Sequence, residues 1–186
     1  VSVITPFGVD LAQGATQFNW NSTCDFGVVG LPDVAVNLRN ADALTIQTTG
    51  GAGVPSSIAG TFHSPTLAPP PGATIDFQSS GVITVLAAGV NTYGLSLQTT
   101  TNALPSRVNF QGPVNVKSSL VVTSKGDISI DQPLTATTGG TIAVTSTAGS
   151  VDVNKAVTAD GAVSLTANQA AVTVDAAVTS TTADVT

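Results

Sequence analysis

The sequence predicts an all-β fold: a parallel β-helix, or solenoid, with coils of about 20–23 residues and an irregular N-terminal region. Three observations predict it. The first is composition. Among 186 residues there are 28 Thr and 25 Val, all eleven acids are Asp, and Met and Glu are absent. β-branched side chains favour pleated, half-buried strands, whereas the missing residue types favour helices. The second is a recurring phrase. Val108-Asn-Phe-Gln-Gly-Pro-Val-Asn-Val116 returns as Ile128-Ser-Ile-Asp-Gln-Pro-Leu-Thr-Ala136, Val151-Asp-Val-Asn-Lys-Ala-Val-Thr-Ala159 and Val172-Thr-Val-Asp-Ala-Ala-Val-Thr-Ser180, with starts 20, 23 and 21 residues apart. The third is alternation within the phrase. Ile128, Ile130, Val151, Val153, Val172 and Val174 fall on one face, and Ser129, Asp152 and Thr173 on the other, the period-two pattern of a strand with one buried side.

Taken in order, residues 1–72 read as a less regular, β-rich cap or set of decorated coils. Within them, residues 34–38 and 43–46 alternate as strands, and residues 64–72 form a proline-rich extended loop that excludes helix and central strand. Exposed solenoid ends leave strand edges unpaired, and Val1, Val3, Ile4, Phe7, Phe18, Trp20 and Phe26 are placed where a cap would cover one. Residues 73–186 read as the coils. Strands are expected at 73–77, 82–85 and 95–97, and then in the repeated phrases. A second phrase lies between repeats of the first: Leu120-Val-Val-Thr123, Ile142-Ala-Val-Thr145 and Val163-Ser-Leu-Thr166, with Ala183-Asp-Val-Thr186 aligned as a fourth. Gly126, Gly139, Gly140, Gly149 and Gly161 fall between strands, at turns. The last phrase stops in mid-coil and the chain lacks Met at position 1. The expectation is a piece of something longer, its coils continuing or stacking beyond residue 186.

The alignment generates columns of like residues. Gln111, Asp131, Asn154 and Asp175 form one; Thr135, Thr158 and Thr179 a second; Thr123, Thr145 and Thr166, with Thr186 as an extension, a third. Such stacked residues are expected to act as structural ladders, hydrogen-bonded from coil to coil. An antiparallel β-sandwich predicts turn signals but no identity of this kind at a 20–23 residue period.

The columns leave little for chemistry. Glycosidase work takes paired carboxylates, and Asp131 and Asp175 are the candidates, but Asn154 stands between them, two coils or roughly 9–10 Å apart. Lys155 neighbours the same column. Weak calcium binding is the remaining alternative for this column, since Ca²⁺ takes six or more oxygen ligands. His63 is the sole histidine and Cys24 the sole cysteine, so neither a structural zinc site nor an internal disulfide is available. Cys24 reads as a buried thiol, with pairing between chains as the alternative. Asn21-Ser-Thr23 fits the glycosylation acceptor pattern. The five cations, Arg39, Arg107, Lys117, Lys125 and Lys155, are scattered over a chain of net charge −6, which is no footprint for nucleic acid. No apolar run reaches the length of a membrane-spanning helix. Thr-x-Thr rows like those of ice-binding solenoids begin at Thr145-Ser-Thr147 but break at Thr123-Ser-Lys125 and Thr166-Ala-Asn168.

The stretch SKGDISIDQPLTATTGGTIAVTSTAGSVDV, residues 124–153, resembles the repeats of filamentous haemagglutinin-type exoproteins, and the likeness extends over residues 107–186. The resemblance implies a right-handed parallel β-helix in a large secreted bacterial adhesin, with roles in adhesion, biofilm or cell-surface scaffolding. The Asn-Pro-Asn motif of that family's secretion domain has no counterpart here. The expectation is therefore a secreted, cell-surface structural protein: an adhesin segment or the subunit of an extracellular filament. It is expected to have no catalytic residues, metal or cofactor. Its expected partners are copies of itself or neighbouring segments of a longer chain, and cell-surface glycans. The alternative is a carbohydrate-binding or pectate-lyase-like carbohydrate-active β-helix, since the same scaffold serves both.

Overall fold

The computed structural model describes the strands within residues 2–62, then residues 74–79, 81–100 and 106–186; side chains are described from residue 75 onward, apart from Ala88. In chain order the strands are β1 (Ser2–Thr5), β2 (Val9–Gly14), β3 (Gln17–Ser22), β4 (Val34–Val36), β5 (Ala43–Thr48), β6 (Ser56–Phe62) and β7 (Thr74–Ser79). They continue as β8 (Ile83–Thr92), β9 (Gly94–Thr99), β10 (Val108–Phe110), β11 (Val114–Val116), β12 (Ser119–Ser124), β13 (Ile128–Ile130) and β14 (Leu134–Ala136). The last six are β15 (Thr141–Ser146), β16 (Val151–Val153), β17 (Val157–Ala159), β18 (Val163–Ala167), β19 (Val172–Val174) and β20 (Val178–Ser180). Among the described residues there is no helix.

These strands stack as a parallel β-solenoid of about five turns, each coil about 22 residues long. Each regular coil contributes one strand to each of three faces. Face A runs β1-β5-β7-β9-β12-β15-β18, all parallel. Face B stacks residues 83–85 of β8, then β10, β13, β16 and β19; face C stacks residues 90–92 of β8, then β11, β14, β17 and β20. Because β8 continues around the corner between B and C, both faces belong to one 13-stranded sheet.

Face A crosses residue 72 without a break, since β5 pairs in parallel with β7. Solenoid stacking therefore includes β5 and β1, on the N-terminal side of residue 72. The departure from it is an antiparallel group, in which β2 pairs with β3 and β3 with β4, while β2 also joins β6 in parallel. Phe18 and Trp20 lie on β3. Val1, Phe7, Phe26, Cys24, Arg39, His63 and the proline-rich segment 64–72 lie outside the described residues.

The observed register matches the recurring phrase. Val108 pairs with Ile128, Ile128 with Val151 and Val151 with Val172; on the next face Val114, Leu134, Val157 and Val178 follow one another. Alternation sends every second side chain inward. Ile75, Phe77, Leu95, Leu97, Phe110 and Ile130 are among the core residues, each at most 1% exposed. Val172 and Val174 keep the inward register, at 38% and 48% exposed.

At the corner between faces B and C, two successive coils approach closely at glycine. In β8, Gly89 has φ +74°, the left-handed region, and a Cβ there would lie 2.4 Å from the Pro113 carbonyl oxygen. In the next coil a Cβ on Gly112 would lie 1.9 Å from the Leu86 carbonyl oxygen. Successive coils thus touch backbone to backbone at this corner.

One part of the reading is corrected. Val185, not Ala183, lies opposite Val163, so Ala183-Asp-Val-Thr186 is offset by two residues from the aligned phrase and Thr186 does not extend the Thr166 column. The corner before it is longer by one residue than the one before β18 and is lined with hydroxyls. Thr181 donates to a carboxylate oxygen of Asp160, Thr182 donates to its backbone carbonyl, and Ser180 accepts the Ala183 N–H at 3.0 Å.

Candidate functional site

The residues that differentiate this chain from a plain apolar solenoid are its polar columns. The three inferred from sequence occupy different places. Thr123, Thr145 and Thr166 stack in register on the outer side of face A, with Gln98 and Gln78 continuing the column. Thr135, Thr158 and Thr179 stack on the outer side of face C beyond Asn115 and Asn91. There the amide of Asn115 donates to the Asn91 side-chain oxygen at 2.9 Å, a link between coils.

Gln111, Asp131, Asn154 and Asp175 each follow a face B strand, at the corner leading to face C. The backbone N–H groups of Gln111, Asn154 and Asp175 each donate to the strand below, at Val85, Ile130 and Val153 respectively. Asn154 donates its amide to one oxygen of Asp131 at 2.8 Å, and Ser129 donates to the other at 2.9 Å. The column therefore joins Asp131 to Asn154 and leaves Asp175 a further coil away. Asp131 and Asp175 do not form a carboxylate pair.

Other acids take the same part. Asp127 accepts the Ser150 N–H at 2.9 Å, and the Ser150 hydroxyl reaches Asp152 at 3.1 Å. Asp160 accepts the Gly139 N–H at 2.7 Å and the Thr181 hydroxyl at 2.6 Å, linking three successive coils. The Thr181 hydroxyl, and after it the Gly139 N–H, hold the Asp160 carboxyl below its ordinary value, because both bonds favour the charged form. These carboxylates act as fixed acceptors between coils. Among the described residues, no group of three or more His, Cys, Asp or Glu is placed to hold a metal ion, and no helix is long and apolar enough to cross a membrane.

A fourth column was not read from the sequence. At the C-terminal end of the face A strands, Ser79, Thr99, Ser124 and Ser146 point inward and are 0% exposed. The chain turns there toward face B, and turn N–H groups buried at a corner need an acceptor. Ser124 Oγ accepts the Gly126 N–H at 3.2 Å, and Ser146 Oγ accepts the Gly149 N–H at 2.9 Å while donating to the Gly126 carbonyl at 2.8 Å. Thr99 Oγ1 accepts both the Lys125 N–H at 2.7 Å and the Ser106 hydroxyl at 2.8 Å. This is a hydroxyl spine inside an otherwise apolar core. Its sequence signal is a second polar residue closing each strand: Gln78-Ser79, Gln98-Thr99, Thr123-Ser124 and Thr145-Ser146.

No family model, no curated protein and no solved structure matches the chain.

Two predictions come from these contacts. Ser146→Ala removes the acceptor of a buried N–H and the donor to a buried carbonyl, and is expected to cost about 1–3 kcal/mol. Ser150→Ala, at the coil surface, is expected to stay within about 0.5 kcal/mol. Equal losses in denaturant titration would contradict the buried role. For Asp160, a lowered carboxyl value in the folded chain stabilises the fold above the ordinary value of 3.8, and that stabilisation is lost as pH falls through the lowered value. Wild type is therefore expected to melt higher than Asp160→Asn at neutral pH, with the gap closing below about pH 4. Melting curves for both proteins across that range check it; a gap independent of pH rules out the ionic contribution.

Proposed function

We propose that the chain is a structural element of the cell exterior: a rod-forming segment of a secreted surface adhesin of the filamentous haemagglutinin type, or the subunit of an extracellular filament. The observation that carries this reading is the use made of the polar side chains. Asp127, Asp131 and Asp160, the side chains best suited to chemistry, are hydrogen-bonded to neighbouring coils through Ser150, Asn154 and Thr181. A glycoside hydrolase on this scaffold needs carboxylates turned toward a substrate. Here they tie one coil to the next, and Asn91–Asn115 does the same on face C.

The mechanism is mechanical. Three parallel strand ladders join successive regular coils, and the buried apolar residues between them run from Ile75 to Val163. Each coil is supported by its neighbours, as in other solenoids, so the stack resists bending and pulling. The low proportion of charge, 9% of residues, leaves a Ser- and Thr-rich exterior for contact with glycans or with other rods.

Electron microscopy of the protein isolated from its natural source, without trimming, tests the reading. Fibres, or rods longer than 186 residues can supply, are the expected result. Small single particles that turn over a polysaccharide would replace it with the carbohydrate-active alternative.

A further inference from the structure

Asp160 and Gly161 form the one Asp-Gly pair in the chain, and there is no Asn-Gly pair. They sit between β17 and β18, in the corner between faces C and A. An aspartyl–glycine bond is prone to a reaction of its own. The backbone nitrogen of the glycine attacks the side-chain carboxyl carbon of the aspartic acid. A C–N bond forms, and the carboxyl hydroxyl leaves with the nitrogen's proton as water. Hydrolysis of the five-membered succinimide consumes one water again. Opening at one carbonyl restores aspartate. Opening at the other leaves isoaspartate, whose main chain runs through the side chain and is one methylene longer. Glycine permits the attack because it has no side chain to hinder its nitrogen.

The stack favours both residues where they stand. A Cβ on Gly161 would lie 2.8 Å from the Gly139 carbonyl oxygen and 3.0 Å from that of Gly140, and the Asp160 carboxylate ties together the coils on either side. The same contacts restrain the reaction. The peptide unit that joins the two residues is held at both ends. Its N–H donates to the Gly140 carbonyl of the preceding coil at 2.8 Å. Its carbonyl accepts the hydroxyls of Thr181, at 3.2 Å, and Thr182 from the following coil. One carboxylate oxygen accepts the Thr181 hydroxyl at 2.6 Å and the other the Gly139 N–H at 2.7 Å. Closing the ring brings the nitrogen to bonding distance from the carboxyl carbon, and that movement breaks contacts with both neighbouring coils. The attack also needs the acid form, and the Thr181 hydroxyl, then the Gly139 N–H, favour the carboxylate.

We infer that Asp160–Gly161 is a site of backbone isomerisation that the folded stack keeps closed, with Thr181 and Thr182 as its latch. Asp160 is half-buried, so water reaches it, and the protection comes from the hydrogen bonds that pin the reacting groups. The latch guards register as well as the bond. Both β17 and β18 are paired position by position with their neighbours. A methylene added to the main chain between them shifts one against its partners, and in a strand a shift of one position turns inward side chains outward. The latch operates whether or not the stack belongs to a filament.

Prolonged incubation of the full chain at neutral pH, followed by peptide mapping of isoaspartate by electron-transfer mass spectrometry, tests this. In denaturant, isoaspartate is expected to accumulate at residue 160 ahead of every other Asp. In folded wild type the rate there is expected to be at least roughly tenfold lower, because the reaction waits on local opening. Thr181→Val removes the hydroxyl that holds both the carboxylate and the carbonyl of Asp160, and is expected to raise the folded rate several-fold. Ser146→Ala loosens a different corner and is expected to leave the rate at residue 160 as in wild type. Circular dichroism and melting of each variant establish that it is folded. If Thr181→Val does not fold, Thr182→Val serves in its place. Folded wild type that isomerises as fast as the denatured chain overturns the inference. So does a folded Thr181→Val that stays as slow as wild type, or a denatured chain in which another Asp outpaces Asp160. Ser146→Ala that speeds the reaction as much as Thr181→Val assigns the protection to global stability and equally overturns it.

Discussion

The regular coils of this molecule depend on the parallel backbone ladder that joins each to the next. Adjacent strands in a sheet lie about 4.8 Å apart, so a residue at a given position in one coil stands directly over its equivalent in the next. That distance suits hydrogen bonds between short polar side chains and van der Waals contact between β-branched ones. It leaves no room at tight corners: a Cβ on Gly112 or Gly126 would lie 1.9 Å from a carbonyl oxygen of the coil below. The abundance of Val and Thr and the glycines at corners follow from this one spacing.

The ladder also decides what the polar residues do. Inside, serine and threonine hydroxyls serve the N–H groups of the corner after face A, because a corner breaks the regular pairing that satisfies backbone groups elsewhere. Outside, asparagine and aspartate bridge one coil to another. Carboxylates so engaged favour cohesion over reactivity.

Much of this was legible in the sequence, for a physical reason. Because equivalent residues see the same surroundings in each coil, the phrase beginning at Val108, Ile128, Val151 and Val172 repeats visibly, and its register could be read directly. The hydroxyl spine was not read, because a serine after a threonine at the end of a strand has the appearance of a turn. Only the structure places Ser124 and Ser146 inside. The offset at Val185 was missed because the corner before it differs in length from the one before β18, and apolar periodicity does not mark that length. The antiparallel group β2-β3-β4 lacks repeats altogether, so nothing in its spacing marked its pairing.

The central claim is the coil-to-coil register, and an engineered disulfide tests it most directly. With Cys24 replaced by serine, Thr135→Cys and Thr158→Cys place two thiols at paired positions of β14 and β17. Neighbouring strand positions fall within the range of about 4.4–6.8 Å between Cα atoms that a disulfide accepts. The account predicts that this pair oxidises readily in the folded monomer, and that Asn115→Cys with Thr158→Cys, two coils apart, does not. Crosslinking of the second pair and not the first would contradict the stack as described.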